Sequence, residues 1–146
     1  PYTTLFRSYH KKQQIALVIR SNYSNEGIKF FTSDNDVQQI GYMNHKEGNV
    51  IASHIHKIVE RKIQGTPEVL VIKKGKLRLD LYSQEKEYIE STYLYSGDIV
   101  LLFFGGHGLK CLTNVEMIEI KQGPYLKNDD KIRFPNITDD KVIINE

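Results

Sequence analysis

The sequence predicts an all-β protein whose strands form a sandwich or a barrel. In residues 76–82, three leucines alternate with polar or aromatic residues, which is typical of a strand with one buried face and one wet face. Residues 99–104 are all apolar, as expected of a strand that is buried on both faces. Because turn-forming clusters separate these runs, the chain is predicted to contain about nine or ten short strands.

Each predicted strand is an apolar or alternating run that is bounded by turn residues. Residues 14–21 are rich in branched apolar side chains and are followed by a polar cluster. Gly75 can supply the positive φ of a tight hairpin between two runs. An alternation near the end of the chain, at residues 117–120, is expected to close the core. The predicted strands are residues 14–21, 28–32, 37–44, 49–56, 69–73, 76–82, 88–94, 99–104 and 117–120.

Length and composition limit both the architecture and the function. At 16.9 kDa, residues 1–146 are expected to form a single domain. Hydrophobic residues make up 40% of the chain and charged residues 26%, and no stretch of about 18 apolar residues could span a bilayer. The net charge of +2 is not gathered into a basic stripe. We therefore expect a cytoplasmic protein that binds neither membranes nor nucleic acid.

Cys111 is the only cysteine, which excludes an internal disulfide. A lone cysteine in an apolar strand is expected to be a small buried hydrophobic residue. If residues 109–112 are extended, Cys111 shares the strand face of His107 and could border a site there.

Four residues are candidate metal ligands, namely His54, His56, Glu68 and His107. In a strand, His54 and His56 at positions i and i+2 point to the same face and can converge on one ion. Glu68 and His107 each lie at the edge of another strand-like run. A small barrel can gather ligands from such distant parts of the chain at its mouth.

The pattern around these residues resembles the two motifs of the cupins. Gly48 to His56 fits the Gly-x5-His-x-His part of the first motif, and Glu68 to Gly75 fits the Glu-x6-Gly part. Residues 97–107 are similar to the second motif, with a Gly-Asp opening and a Gly-Gly-His end. In this chain Phe103 stands where the second motif has proline, and Cys111 stands where it has asparagine.

The resemblance spans residues 37–124 and implies a jelly-roll barrel, the cupin double-stranded β-helix, with terminal extensions that pack on it. Short apolar patches at residues 132–134 and 142–144 are expected to pack on a neighbouring surface. The Gly-Pro-Tyr sequence at residues 123–125 is similar to cupins from bacterial surface-polysaccharide gene clusters. The resemblance also implies a homodimer.

The first motif is interrupted by an insertion at residues 57–67, which separates His56 from Glu68. Glu60 lies at the usual distance from His56 and is therefore an alternative carboxylate ligand. Glu68 is preferred because an apolar run and the spaced glycine follow it. The insertion is expected to form either a lid over the site or an extended β-hairpin at the dimer interface.

A set of three imidazoles and one carboxylate suits Mn, Fe, Ni, Cu or Zn better than Ca or Mg. We expect one such divalent ion per chain. Two functions fit this ligand set. The first is a small metal-dependent enzyme, such as an isomerase, lyase or oxygenase, that acts on a compact polar metabolite and in particular a sugar or sugar precursor. The alternative is a non-catalytic module that binds the metal or a small-molecule ligand.

Overall fold

The structure, a computed structural model, describes residues 3–127 and 130–146. Within those ranges it contains no α-helix, and all pairs of strands are antiparallel, so the predicted all-β class is confirmed. The described strands do not close into a barrel. No helix in this part of the chain is long and apolar enough to span a bilayer. The strands are β1 Leu5–His10, β2 Gln13–Ile19, β3 Gly27–Phe30, β4 Gly41–Asn44, β5 Glu68–Lys74, β6 Lys76–Tyr82, β7 Tyr88–Tyr95, β8 Ile99–Leu102, β9 Gly106–Cys111 and β10 Glu116–Lys121.

The chain divides into two compact units. Unit 1 consists of Pro1–Tyr23 and Thr66–Glu146, and unit 2 consists of Ser24–Gly65. Unit 1 contains a five-stranded sheet with the order β1-β2-β8-β5-β10 and a three-stranded sheet with the order β7-β6-β9. Unit 2 contains the antiparallel pair of β3 and β4. The single domain that the length suggests stays a prediction.

Apolar side chains from both sheets of unit 1 form one core. The five-stranded sheet contributes residues of β1, β2, β5 and β8, and the three-stranded sheet contributes three leucines of β6 and one of β7. Residues 99–102 of the all-apolar run form β8, which pairs with β2 on one edge and β5 on the other. Val100, Leu101 and Leu102 are buried. The core consists of Phe6, Ile15, Ala16, Val18, Leu70, Ile72, Leu77, Leu79, Leu81, Leu94, Val100 and Leu102.

The hairpin predicted at Gly75 is not formed. β5 and β6 follow one another in the sequence, but β5 pairs with β8 and β10, whereas β6 pairs with β7 and β9. Gly75 has the positive φ that was expected, +92°, and a Cβ at this position would overlap the carbonyl oxygen of Asn114. The glycine therefore lets the chain pass from one sheet to the other instead of reversing within a sheet.

The prediction that β6 has a wet face is also wrong. Arg78, Asp80 and Tyr82 are only 7%, 2% and 3% exposed. The C-terminal segment, residues 130–146, covers this outer face. The Phe134 ring packs edge-on against the Tyr82 ring, and the Tyr82 hydroxyl accepts a hydrogen bond from Ile137 N. Alternation within one strand cannot reveal that a distant segment will cover its polar side.

Three other strand predictions differ from the structure. Residues 49–56 belong to no strand, because they form none of the ladder hydrogen bonds that define one. The strand predicted at residues 37–44 begins only at Gly41, since Gln39 instead donates side-chain hydrogen bonds to the turn at residues 33–36. The run at residues 117–120 does not close the core, because β10 is an edge strand and its apolar side chains are partly exposed.

Candidate metal centre

Glu68 is the first residue of β5, and its carboxylate is buried within unit 1. Because alternate residues of a strand share a face, Glu68 faces inward with Leu70 and Ile72. In the sheet it lies opposite Leu102 on one side and Lys121 on the other. Only 5% of its surface is exposed. A carboxylate in this position requires a compensating partner, because removing an unpaired charge from water costs several kcal/mol.

His107 of β9 supplies that partner from the facing sheet. It lies opposite Leu81, a core residue, and opposed residues on paired strands share a face, so the imidazole points into the space between the sheets. The His107 Nε2 atom is 3.1 Å from Glu68 Oε2, and 33% of the His107 side chain is exposed. Glu68 and His107, which are distant in sequence, are thus brought together across the two sheets of unit 1.

The contact leaves one buried carboxylate oxygen incompletely satisfied. The two atoms are 3.1 Å apart, but Glu68 Oε2 makes no hydrogen bond of acceptable geometry within the described residues. The His107 imidazole, which lies at hydrogen-bonding distance, lowers the pKa of the Glu68 carboxyl below its usual 4.5 by more than burial raises it. Lys131 and Lys121 lower it further. Glu68 is therefore ionised at neutral pH and retains a lone pair, which is the state required of a metal ligand.

His54 and His56 lie in unit 2, in a stretch without regular secondary structure, and both are exposed. Their ring centroids are nevertheless only 5.2 Å apart, with an angle of 76° between the rings. The His54 Nδ1 atom is 2.9 Å from the carbonyl oxygen of Ala52. Since a carbonyl oxygen can only accept a hydrogen bond, this contact places the proton on Nδ1 and leaves the Nε2 lone pair available, as in metal-binding histidines.

The predicted ligands thus occur as two pairs, one in each unit. Among residues 3–127 and 130–146, no group of three or more His, Cys, Asp or Glu side chains could hold a metal ion by itself. The four-residue ligand set stays a prediction. Glu60, the alternative carboxylate, is exposed and lies in unit 2 outside any strand. The hairpin suggested for the insertion is not formed, because residues 57–65 contain no strand.

Cys111 is exposed, so the expectation of a buried cysteine is wrong. It ends β9, which is an edge strand of the three-stranded sheet. Because Cys111 and His107 are four residues apart on one strand, they share a face, as predicted.

A buried polar network on the outer face of β6 was not found from the sequence. Asp80 accepts hydrogen bonds from Arg78 Nε at 2.7 Å and Arg78 Nη2 at 3.0 Å, and the Ser91 hydroxyl donates to Asp80 Oδ1 at 2.6 Å. Arg78 Nη1 also pairs with Asp139 at 2.9 Å. The available signal was the apolar character of residues 132–134 and 142–144, which predicted that the C-terminal segment would pack on a neighbouring surface.

A second buried pair, Arg20 and Asp98, stabilises the turn before β8. Asp98 accepts hydrogen bonds from Arg20 Nη1 at 2.9 Å, Ser21 N at 3.0 Å and Tyr95 N at 3.0 Å. The Gly-Asp sequence that resembles the opening of the second cupin motif is therefore a structural turn in this protein, in which the carboxylate organises the backbone.

Comparison with known proteins gives no further guidance, since no family model, no curated protein and no solved structure matches this chain.

Proposed function

We propose that this protein is a cupin-like metal-binding protein in which Glu68 and His107 are ligands of one divalent transition-metal ion. The double-stranded β-helix fold of the cupins is part of the proposal, and two antiparallel sheets that share one core support it. His54 and His56 stay predicted ligands, supported by the sequence motif and by their adjacent rings. Mn, Fe, Ni, Cu and Zn are the ions that such nitrogen and oxygen donors suit.

One observation carries the proposal. Among the described residues, the buried Glu68 Oε2 atom makes no hydrogen bond of good geometry, although an imidazole nitrogen lies 3.1 Å from it. Buried polar atoms in folded proteins almost always have a hydrogen-bond partner. An exception can mark a position where a water molecule or an ion binds. A carboxylate and an imidazole held by two different sheets are also ligand types that transition metals select. Because the strands fix both side chains, little reorganisation is needed on binding.

The chemical role that we propose is catalysis on a compact polar metabolite, with a sugar or sugar precursor as the candidate substrate. A bound ion of this kind would supply Lewis acidity to an oxygen of the substrate. The protein contributes the positive surroundings of Glu68, since Lys121 lies opposite it in the sheet and Lys131 also acts on its pKa. The partly exposed His107 side chain leaves the centre open toward solvent.

Glutamine substitutions test the carboxylate assignment. We expect Glu68→Gln to lower the metal content of protein purified without chelators by about tenfold or more, because the neutral amide loses the charge interaction with the ion. Glu60→Gln is the matched control and is expected to retain the wild-type content. The metal content of both variants is measured by mass spectrometry and by titration with one equivalent of metal per chain. The opposite pattern, with loss only in Glu60→Gln, would assign the carboxylate role to Glu60.

Replacement of the paired histidines tests the remaining predicted ligands. In a His54→Ala/His56→Ala variant we expect most of the bound metal to be lost, because removing two imidazoles leaves an incomplete coordination shell. His45→Ala, a substitution of another histidine of unit 2, is the control and should leave the metal content unchanged. Full occupancy in the double variant would remove His54 and His56 from the ligand set.

A further inference from the structure

Two cations lie directly opposite one another on the outer face of the three-stranded sheet. Arg78 of β6 is paired in register with Lys110 of β9, so their side chains project from the same face. Like charges in this arrangement repel unless an anion lies between them. Asp80 binds the other edge of the Arg78 guanidinium and neutralises one of the two positive charges. The arrangement therefore leaves one positive charge to be balanced.

The Asp139 carboxylate balances it by bridging the two cations. Its Oδ1 atom lies 2.9 Å from Arg78 Nη1, and its Oδ2 atom contacts Lys110 Nζ. The cations lower the pKa of Asp139, Lys110 more than Arg78. Arg78 belongs to the sheet and has a side chain only 9% exposed, whereas the Asp139 side chain is 64% exposed. A buried cation thus receives its anion from an exposed carboxylate.

Asp139 belongs to a short turn, which is easier to displace than a strand of the sheet. It opens a single 3-10 turn, Asp139–Lys141, whose N-cap residue Thr138 makes no side-chain capping hydrogen bond. A cleft of about 360 Å³ adjoins the ion pairs. Its walls are formed by Arg78, Asp80, Leu109, Lys110 and residues 136–139. The cleft offers polar groups and enough room for a small molecule beside the two cations.

We propose that Arg78 and Lys110 form a binding site for the carboxylate of a small molecule, and that Asp139 is an internal occupant which such a ligand displaces. A planar carboxylate reproduces the bridge that Asp139 makes, with one oxygen on each cation. It also carries the single negative charge that the site lacks once Asp80 is counted. A doubly charged phosphate would exceed that charge. This site is separate from the proposed metal centre and does not depend on it.

Acetate titration of an Asp139→Ala variant, followed by NMR of the backbone amides, tests the proposal. Without the tethered competitor, we expect saturable shifts at Arg78 and Lys110 and an acetate affinity at least about tenfold higher than that of the wild type. Asp140→Ala, which removes the adjacent carboxylate, should behave like the wild type. An Asp139→Ala/Lys110→Ala variant should lose the gain. No gain in Asp139→Ala, an equal gain in Asp140→Ala, or tighter binding of inorganic phosphate than of acetate would overturn the assignment.

A measurement on the wild-type protein keeps the proposal testable if the alanine variant does not fold. The amide of Lys141 donates to the Thr138 carbonyl and therefore reports on the turn that carries Asp139. We expect acetate to accelerate hydrogen exchange at this amide relative to chloride at the same ionic strength, because displacement of Asp139 releases the turn. Equal exchange rates in the two salts would overturn displacement by a carboxylate.

Discussion

Three carboxylates are buried among the described residues of unit 1, and their surroundings differ. Asp98 accepts hydrogen bonds from Arg20 and from two backbone amides. Asp80 is paired with Arg78 and accepts a further bond from Ser91. Glu68 lies 3.1 Å from His107 Nε2, and within the described residues its Oε2 atom makes no hydrogen bond. Asp80 and Asp98 are thus compensated by several partners within the fold, whereas the compensation of Glu68 is incomplete.

This difference predicts different stability effects for two substitutions that each replace a carboxylate by an amide. Asp98→Asn removes the carboxylate that pairs with the buried Arg20 guanidinium and should lower the free energy of unfolding by about 3–5 kcal/mol. In metal-free protein, Glu68→Gln should lower it by only about 1 kcal/mol, because the substitution removes a single contact with the partly exposed His107 side chain. Urea unfolding of both variants measures the two effects. An equally large loss for Glu68→Gln would mean that the Glu68–His107 contact is a structural ion pair.

The cupin-like motifs link positions that are distant in the sequence. The spacing of the cupin motifs singled out Glu68 and His107, and these two side chains do meet. Nothing in the sequence linked Arg20 to Asp98, or Arg78 to Asp139, because each pair joins separate elements through tertiary packing alone. The burial of Asp80 likewise depends on a covering segment more than fifty residues later in the chain.

Strands were easier to locate than to pair. The apolar and alternating runs of β2 and β5 to β8 were found from local pattern, since that pattern reflects which side chains face the core. Pairing depends on contacts between distant segments, and so Gly75 was assigned to a hairpin although it connects two sheets. Residues 49–56 have strand-like composition but belong to no ladder, and composition alone does not make a strand.

Glycine substitutions test the role of Gly75 at the crossing between the sheets. Gly75→Ala should lower the free energy of unfolding by more than about 3 kcal/mol, because the Cβ adds an overlap with Asn114 to the strain of a positive φ. Gly48→Ala is the matched control, since Gly48 has a φ of +82° and no atom within 4 Å of an added Cβ. That control should cost only about 1 kcal/mol. Thermal unfolding compares them, and equal losses would contradict a steric role for Asn114.

At the scale of the whole molecule, unit 1 combines a conventional apolar core with polar sites at its margins. The core holds the two sheets together, the Glu68–His107 pair lies between them, and the C-terminal segment covers the outer face of β6. The C-terminal segment also pairs along β7, where Ser91 N donates to the Ile143 carbonyl and Asn145 N donates to the Ser91 carbonyl. The core fixes the positions of both polar sites, and we expect metal loading to leave it unchanged.

Anomalous scattering from crystals grown with Zn²⁺ tests the proposal that Glu68 and His107 bind a metal ion. The proposal predicts one strong anomalous peak at about 2.0–2.2 Å from His107 Nε2 and from a carboxylate oxygen of Glu68. Data collected above and below the zinc absorption edge identify the element. A map without a peak at this position, in which His107 and Glu68 remain in direct contact with each other, would contradict the claim.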